Sequence, residues 1–335
     1  MAEATREDTR QRRVQRAAAL SVASNSVLVV GKLVTGLIIG SVAVVSEAIH
    51  SAVDLLAALI AWFAVREAGK PADEQHAYGH GKIENLAALI EAALIVAAAI
   101  WIIIEAALRL VDPKPVAGAS WGVLAMGISA LVNLLVSSYL MAVGRRCDSI
   151  ALQADAWHLR TDVLTSFGVM AALAVIWAGD RWWGVDLWWV DPVVAIAVAL
   201  LILRAGAQLT SEAGGDLIDR SLPMPERSWI IAHIRALYPR ITGFHDLRTR
   251  KAGRHRFVEV HLVVPEDLNI RAAHALAESV ELGIGEHFPG TTVTVHLDPC
   301  DLHCPPRCLA GCLLGEERNR RRAERGLPPI DPPAR

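Results

Sequence analysis

Charge is scarce in this chain of 335 residues. Lys, Arg, Asp and Glu together make up 20% of it, against 53% hydrophobic residues and a mean hydropathy of +0.36. That balance is too apolar for an ordinary soluble domain, and it rules out an intrinsically disordered or collagen-like chain. Net charge is small as well. At −2 it gives no overall basic field that would mark nucleic acid as a partner. Cysteine is rare: there are five, four of them crowded near the C-terminus, which does not make a secreted disulfide framework. No His-Glu-x-x-His phrase occurs, so the helical signature of a zinc hydrolase is missing. The first apolar stretch carries no signal-peptide cleavage pattern. Long apolar runs, by contrast, are abundant.

Crossing a bilayer takes roughly 20 apolar residues. Six runs qualify, at about 17–40, 42–65, 83–110, 121–143, 149–178 and 188–208. The cations between them are unevenly placed. Arg6, Arg10, Arg12, Arg13 and Arg16 precede the first run, Arg66, Lys70 and Lys82 follow the second, and Arg145 and Arg146 follow the fourth. The opposite side carries only Arg109, Lys114 and Arg181. This bias predicts that both termini are cytoplasmic, in a cell or inner membrane, with Trp182, Trp183, Trp188 and Trp189 as an interfacial belt. The C-terminal cysteines then lie in a reducing compartment, where a thiol or metal site is favoured over a disulfide.

Two of the runs repeat one phrase. The second contains Glu47-Ala48-Ile49-His50-Ser51-Ala52-Val53-Asp54-Leu55-Leu56, and the fifth Asp155-Ala156-Trp157-His158-Leu159-Arg160-Thr161-Asp162-Val163-Leu164. Spacing i, i+4 puts His50 above Asp54, and His158 above Asp162, on one helix face each. An Asp at membrane depth costs about 2.5–3.5 kcal/mol on the insertion scale and needs a compensating partner. Taken alone, either pair reads equally as a hydrogen-bonded packing device. Together, two imidazoles and two carboxylates form a tetrahedral ligand set suited to Zn²⁺. Between the second and third runs, Asp73, His76 and His80 fall within eight residues beside Gly79 and Gly81, and they either wrap one cation or form a solvated polar loop. Arg160 points to another face of its helix and has no assigned role.

Beyond residue 210 charged and apolar residues alternate as in a soluble domain. The pattern predicts a helix near 225–237, strands near 243–250 and 255–264, a helix near 271–287 and a strand near 291–297. This αββαβ order suits an open sheet with helices on one face. Alternation places His261, His296 and Asp298 on the polar face, opposite Val258, Val260, Val293 and Val295. Cys300, Cys304, Cys308 and Cys312 recur every four residues with His303 among them, a soft donor set for Zn²⁺ or Cu(I). Pro305 and Pro306 interrupt any helix that would align them. From Gly315 onward the Arg- and Pro-rich run reads as a disordered end.

The chain resembles the cation diffusion facilitator family of zinc transporters over about residues 15–300. The residues carrying this are His50-x-x-x-Asp54, His76-Ala77-Tyr78-Gly79-His80-Gly81-Lys82-Ile83-Glu84, His158-x-x-x-Asp162, Leu217-Ile218-Asp219-Arg220, His245-Asp246-Leu247-Arg248-Thr249-Arg250 and His296-Leu297-Asp298-Pro299-Cys300. The resemblance implies an α-helical membrane protein with six transmembrane helices (17–208). An N-terminal segment (1–16) precedes them, and a cytoplasmic, ferredoxin-like αββαβ domain (209–300) and a tail (301–335) follow. It implies a transport site of His50, Asp54, His158 and Asp162 and a loop site of Asp73, His76 and His80. It also adds His245 and His274 to His261, His296 and Asp298 as a two-ion site at a homodimer contact, and pairs Lys82 with Asp219. Function follows as Zn²⁺ efflux in exchange for H⁺, with Zn²⁺ also the regulatory ion, or a broader Zn²⁺/Cd²⁺/Co²⁺/Fe²⁺ export. Two other classes compete: a membrane metal sensor, separated by whether sealed vesicles accumulate Zn²⁺, and a membrane zinc hydrolase. The hydrolase needs an open metal position, which four protein ligands deny.

Overall fold

The structure, a computed structural model, describes residues 2–39, 42–112, 120–178, 182, 184–185, 187 and 189–330. The chain divides into two compact units, Met1–Leu217 and Ile218–Arg335.

The first unit holds six long helices: α1 (Ala2–Ile39), α2 (Val42–Ala68), α3 (Lys82–Val111), α4 (Ser120–Arg146), α5 (Ile150–Ala178) and α6 (Val190–Leu217). Each apolar run of the sequence has become one helix. Among the described residues, four of the six contain a stretch long and apolar enough to cross a membrane: Thr9–Val34, Lys82–Val111, Gly127–Arg146 and Val190–Leu217. The helices α2 and α5, which carry the repeated phrase, are the two outside that set. Backbones approach closely where side chains are small, as at Ala57, Ala58, Ala61, Ala88, Ala92 and Ala99, all buried. At Gly206 on α6 an added Cβ would sit 2.8 Å from Val96 Cγ2 and 3.1 Å from Ile95 Cγ2 on α3. Large apolar side chains such as Val27, Trp101, Ile104 and Leu135 point outward, while Asn25, Lys32, Asp54, Glu91, Asn133 and Asp155 are buried. Only a surround that is itself apolar stabilises that inverted arrangement.

Two boundaries differ from the sequence expectation. Residues before 17 are not a separate segment, because α1 runs from Ala2 and packs Val14, Ala17 and Ala18 against Ala64 and Val65. Gln11 Nε2 donates to the Val65 carbonyl at 2.8 Å. At the other end α6 continues past 208 to Leu217, because its last turns are held by α3. Lys82 Nζ donates to Leu217 O (3.2 Å) and Asn85 Nδ2 to Asp216 Oδ2 (3.1 Å). Of the tryptophan belt, Trp182 and Trp189 are exposed, and Trp183 and Trp188 lie outside the described residues, as do the side chains of Arg6, Glu47, Lys114 and Arg181.

The second unit is α7 (Met224–Arg235), β1 (Gly243–Ala252), β2 (His255–Val264), α8 (Ile270–His287) and β3 (Thr291–Pro299), the αββαβ order read from the sequence. The sheet runs β1-β2-β3, antiparallel between the first two strands and parallel between the last two. Gly253, at φ +56°, makes the tight turn of the β1–β2 hairpin, and Asn269 caps α8 by accepting from Ala272 N. Ile230, Ile234, Val258, Val260, Leu276 and Ile284 form the core between the helices and one sheet face.

The end of the chain is folded through residue 330, contrary to the disorder expected from its composition. Phe244 N donates to Gly311 O and Leu313 N to Thr242 O, so the returning chain covers the β1 edge. A short helix, α9 (Pro306–Ala310), precedes this contact, and α10 (Glu317–Glu324) follows. Arg318 and Arg322 of α10 are buried because carbonyls receive their guanidinium groups: Ile330 O for Arg318, Pro328 O and Leu302 O for Arg322. Composition reports charge, and it does not report that those charges have acceptors.

Candidate metal centres

In the helical unit, α2 and α5 bring Asp54 and His158 together, with His158 Nε2 3.2 Å from Asp54 Oδ1. Asp162, one turn beyond His158, completes a group whose ligand atoms all lie within 4.8 Å of one another. Asp54 is 5% exposed. His50 stands one turn before Asp54 on α2, and its side chain lies outside the described residues. One imidazole and two carboxylates already make a mixed N/O set suited to a divalent transition metal, and His50 is positioned in sequence to supply a second imidazole.

Three neighbours of this cluster, Asn133, Lys32 and Ser51, have no role assigned from the sequence. Asn133 on α4 donates to Asp162 Oδ2 at 3.4 Å, holding the carboxylate as an outer-shell donor does. Lys32 on α1 donates to Ser51 Oγ at 2.8 Å. These residues, with Asp54, Asp162, Ser129 and Thr165, line a cavity of about 80 Å³. Asn133 gives no signal in a single sequence. Lys32 does: it is a lone cation inside an apolar run, which is itself a marker of function. Arg160 finds its partner on its own helix, with its guanidinium over the Trp157 ring 5.5 Å from the centroid.

Between α2 and α3 the loop closes on itself. Asp73 Oδ1 accepts from the backbone N–H groups of Gln75 (3.0 Å) and His76 (2.7 Å). His76 Nδ1 lies 3.2 Å from Asp73 Oδ1 and His80 Nε2 3.4 Å from Asp73 Oδ2, so the three residues converge. Gly79 permits this with φ +81°, a left-handed turn that side chains rarely adopt. The hydrogen bond from the His76 backbone is the largest influence holding the Asp73 carboxyl below its ordinary range.

The sheet builds the third cluster from register. His245 pairs directly with His261 across β1 and β2, and His261 with His296 across β2 and β3. Three imidazoles therefore stand in one row, with ring centroids 5.0 Å and 4.5 Å apart. Asp298, two residues beyond His296 on the same face, reaches all three. Its oxygens lie 2.9 Å from His261 Nδ1, 3.2 Å from His245 Nε2 and 3.2 Å from His296 Nε2. Burial pushes the Asp298 carboxyl up, but the His261 hydrogen bond and the His261, His296 and His245 charges outweigh it and hold it low. Asp246, not among the ligands that the sequence implies, joins through His245 Nδ1 at 3.2 Å, at the irregularity where the β1 register shifts.

His274 does not join them. It sits exposed on α8 beside Val295 and Leu297, residues of β3 that face away from His296 and Asp298, so the helix carries it to the other side of the sheet. His233 and His287 both stack on the Trp229 ring. Lys82 reaches the Leu217 carbonyl, and Asp219 lies 3.7 Å from Arg250. Among the described residues, no close group of three ligands includes a cysteine. Burial, followed by the neighbouring Cys304, Cys312 and Cys300 thiols, pushes Cys308 up to about 11, which keeps it a protonated thiol near neutral pH.

The sequence matches two family models: "Cation efflux transmembrane domain" over residues 18–218 and "Cation efflux protein, cytoplasmic domain" over residues 222–300. It is similar to the cation-efflux pump FieF of Escherichia coli O127:H6, with 35% identity over 87% of this chain and 94% of that protein. The FieF pump of Yersinia pestis (strain Pestoides F) is 35% identical over 88% and 96%. A solved CzrB chain in its zinc form aligns with 26% of this chain and 99% of its own length, at 35% identity and a TM-score of 0.25.

Proposed function

Because the chain belongs to the cation diffusion facilitator family, and is thereby a multi-pass cation-efflux transporter and not an enzyme, we propose that its cargo is Zn²⁺, exported from the cytoplasm against inward H⁺. The observation that carries this reading is the convergence of Asp54, His158 and Asp162 on a polar cavity inside an otherwise apolar helical unit. With His50 as fourth ligand, the site closes around a tetrahedral ion and leaves no position for an activated water. Imidazole has an unperturbed pKa near 6.5, so it exchanges a proton for a metal close to neutral pH. Metal binding needs the ligands deprotonated; loading therefore expels protons, and protonation releases the ion. Alternating exposure of the site to the two sides converts that competition into antiport.

On this reading all six helices cross a cell or inner membrane, and both termini and the second unit are cytoplasmic. The loop group Asp73, His76 and His80 holds a further Zn²⁺. The sheet row of His245, His261 and His296 with Asp298 binds Zn²⁺ as a regulatory ion at a homodimer contact. Support for the sheet site comes from the shared carboxylate: Asp298 touches three imidazoles, the arrangement of a bridging ligand. Proteoliposomes loaded with a zinc-sensitive dye test the transport site. Wild-type protein fills them with Zn²⁺ and Asp54→Ala does not; equal filling by both would refute the assignment.

A further inference from the structure

Beside the Asp54–His158–Asp162 group stands a cation that the chain itself supplies. Lys32 is 9% exposed, on a helix whose adjacent Val30, Leu33 and Val34 face outward. An ammonium inside a membrane unit is costly unless opposite charge and hydrogen bonds answer it. Its Nζ donates to Ser51 Oγ at 2.8 Å, and Ser51 precedes Asp54 by three residues, one turn along the same face of α2. Lys32, Ser51, Asp54, Asn133 and Asp162 line one cavity of about 80 Å³, so ammonium and carboxylates face the same small volume. Two carboxylates and one ammonium leave a single net negative charge there. A divalent cation entering that volume meets two attractive charges and one repulsive charge of comparable range.

We propose that Lys32 is a positioning residue of the transport cycle, a tethered counter-cation that balances Asp54 and Asp162 when the metal has left. Ser51 holds the ammonium at the edge of that volume, one turn from Asp54. The consequence is kinetic. A site that must release its ion on every cycle works best with binding strong enough to load and weak enough to unload. The ammonium lowers affinity for the loaded state and supplies compensating charge for the empty one, so it speeds departure of the ion. This inference rests on the reading that Asp54, His158 and Asp162 hold the transported cation.

Zn²⁺ titration of the full-length protein in detergent, paired with uptake kinetics in proteoliposomes, tests it. Lys32→Gln should bind Zn²⁺ roughly tenfold more tightly, and its uptake should show a lower KM together with a lower kcat. Lys32→Arg, which keeps the charge, should stay near the wild type in both. Ser51→Ala, which removes the hydroxyl that draws the ammonium away from the carboxylates, should bind Zn²⁺ more weakly. Folded Lys32→Gln with unchanged or weaker binding would overturn the proposal. If that variant does not fold, unchanged or tighter binding by Ser51→Ala overturns it instead. Asp54→Ala serves as the control: transport by that variant refutes the underlying site, whereas its inactivity alongside wild-type-like Lys32→Gln refutes only the role of Lys32.

Discussion

A carboxylate in the interior of a membrane unit persists only where something answers its charge, and Asp54 and Asp162 are answered by His158, by the Asn133 amide and by an ion when one is bound. Removing a ligand and removing its support should therefore differ in size. Asn133→Ala should weaken Zn²⁺ binding about ten- to a hundredfold, the range of outer-shell partners. Asp162→Ala should exceed that and abolish uptake, as measured by titration and vesicle assays on the same preparations. His50→Asp exchanges a borderline-soft ligand for a hard one, so it should keep Zn²⁺ transport and gain Mn²⁺ or Fe²⁺ transport. An unchanged Zn²⁺/Mn²⁺ preference in competition assays would place selectivity elsewhere. At this scale the sequence was informative where spacing carried the signal. His50, Asp54, His158 and Asp162 repeat at i, i+4, whereas Asn133 contributes from a different helix with no motif around it. Lys32, which the spacing passes over, is a lone charge in an apolar run, and its contact with Ser51 depends on how α1 meets α2.

Among the elements, helix positions were legible because each apolar run is long enough to be one helix, and strand faces were legible because alternation has period two. What periodicity does not carry is where a second layer stands. His274 falls beyond reach of the sheet row because α8 packs on the opposite face, and the arginine-rich end is ordered because Leu302, Pro328 and Ile330 offer carbonyls. Two glycines test the packing. Gly206→Leu drives a side chain into Val96 and Ile95 of α3 and should destabilise the helical unit by about 1–3 kcal/mol, read as a lower Tm in detergent. Gly311→Ala places its Cβ against the Phe244 carbonyl, so the tail should leave the β1 edge and become sensitive to protease near residue 311. The sheet row also sets an acid limit. Asp298 is held below its ordinary value near 3.8 in the folded chain, so its stabilising contribution is present above about pH 4 and is lost as pH falls through the lowered value. Asp298→Asn should remove that acid dependence, so the difference in Tm between wild type and variant shrinks as pH falls below about 4.

For the molecule as a whole, the proposed function divides the labour between two kinds of site: one inside the helical unit that the cargo must leave, and one on the sheet where an ion can stay. Zn²⁺ on the sheet row should draw two copies together. Scattering from the full-length protein in nanodiscs should show contraction when Zn²⁺ is added, and His261→Ala with Asp298→Ala should reduce it. The central claim is exchange of Zn²⁺ for H⁺ at the Asp54–His158–Asp162 site. Its most direct measurement records Zn²⁺ and pH together inside sealed proteoliposomes after a step of external Zn²⁺. The account predicts that Zn²⁺ entry is accompanied by loss of internal protons, accelerates when the interior is acidic, and vanishes in Asp54→Ala. Zn²⁺ entry with no accompanying proton movement, at the same rate with and without a pH gradient, would contradict it.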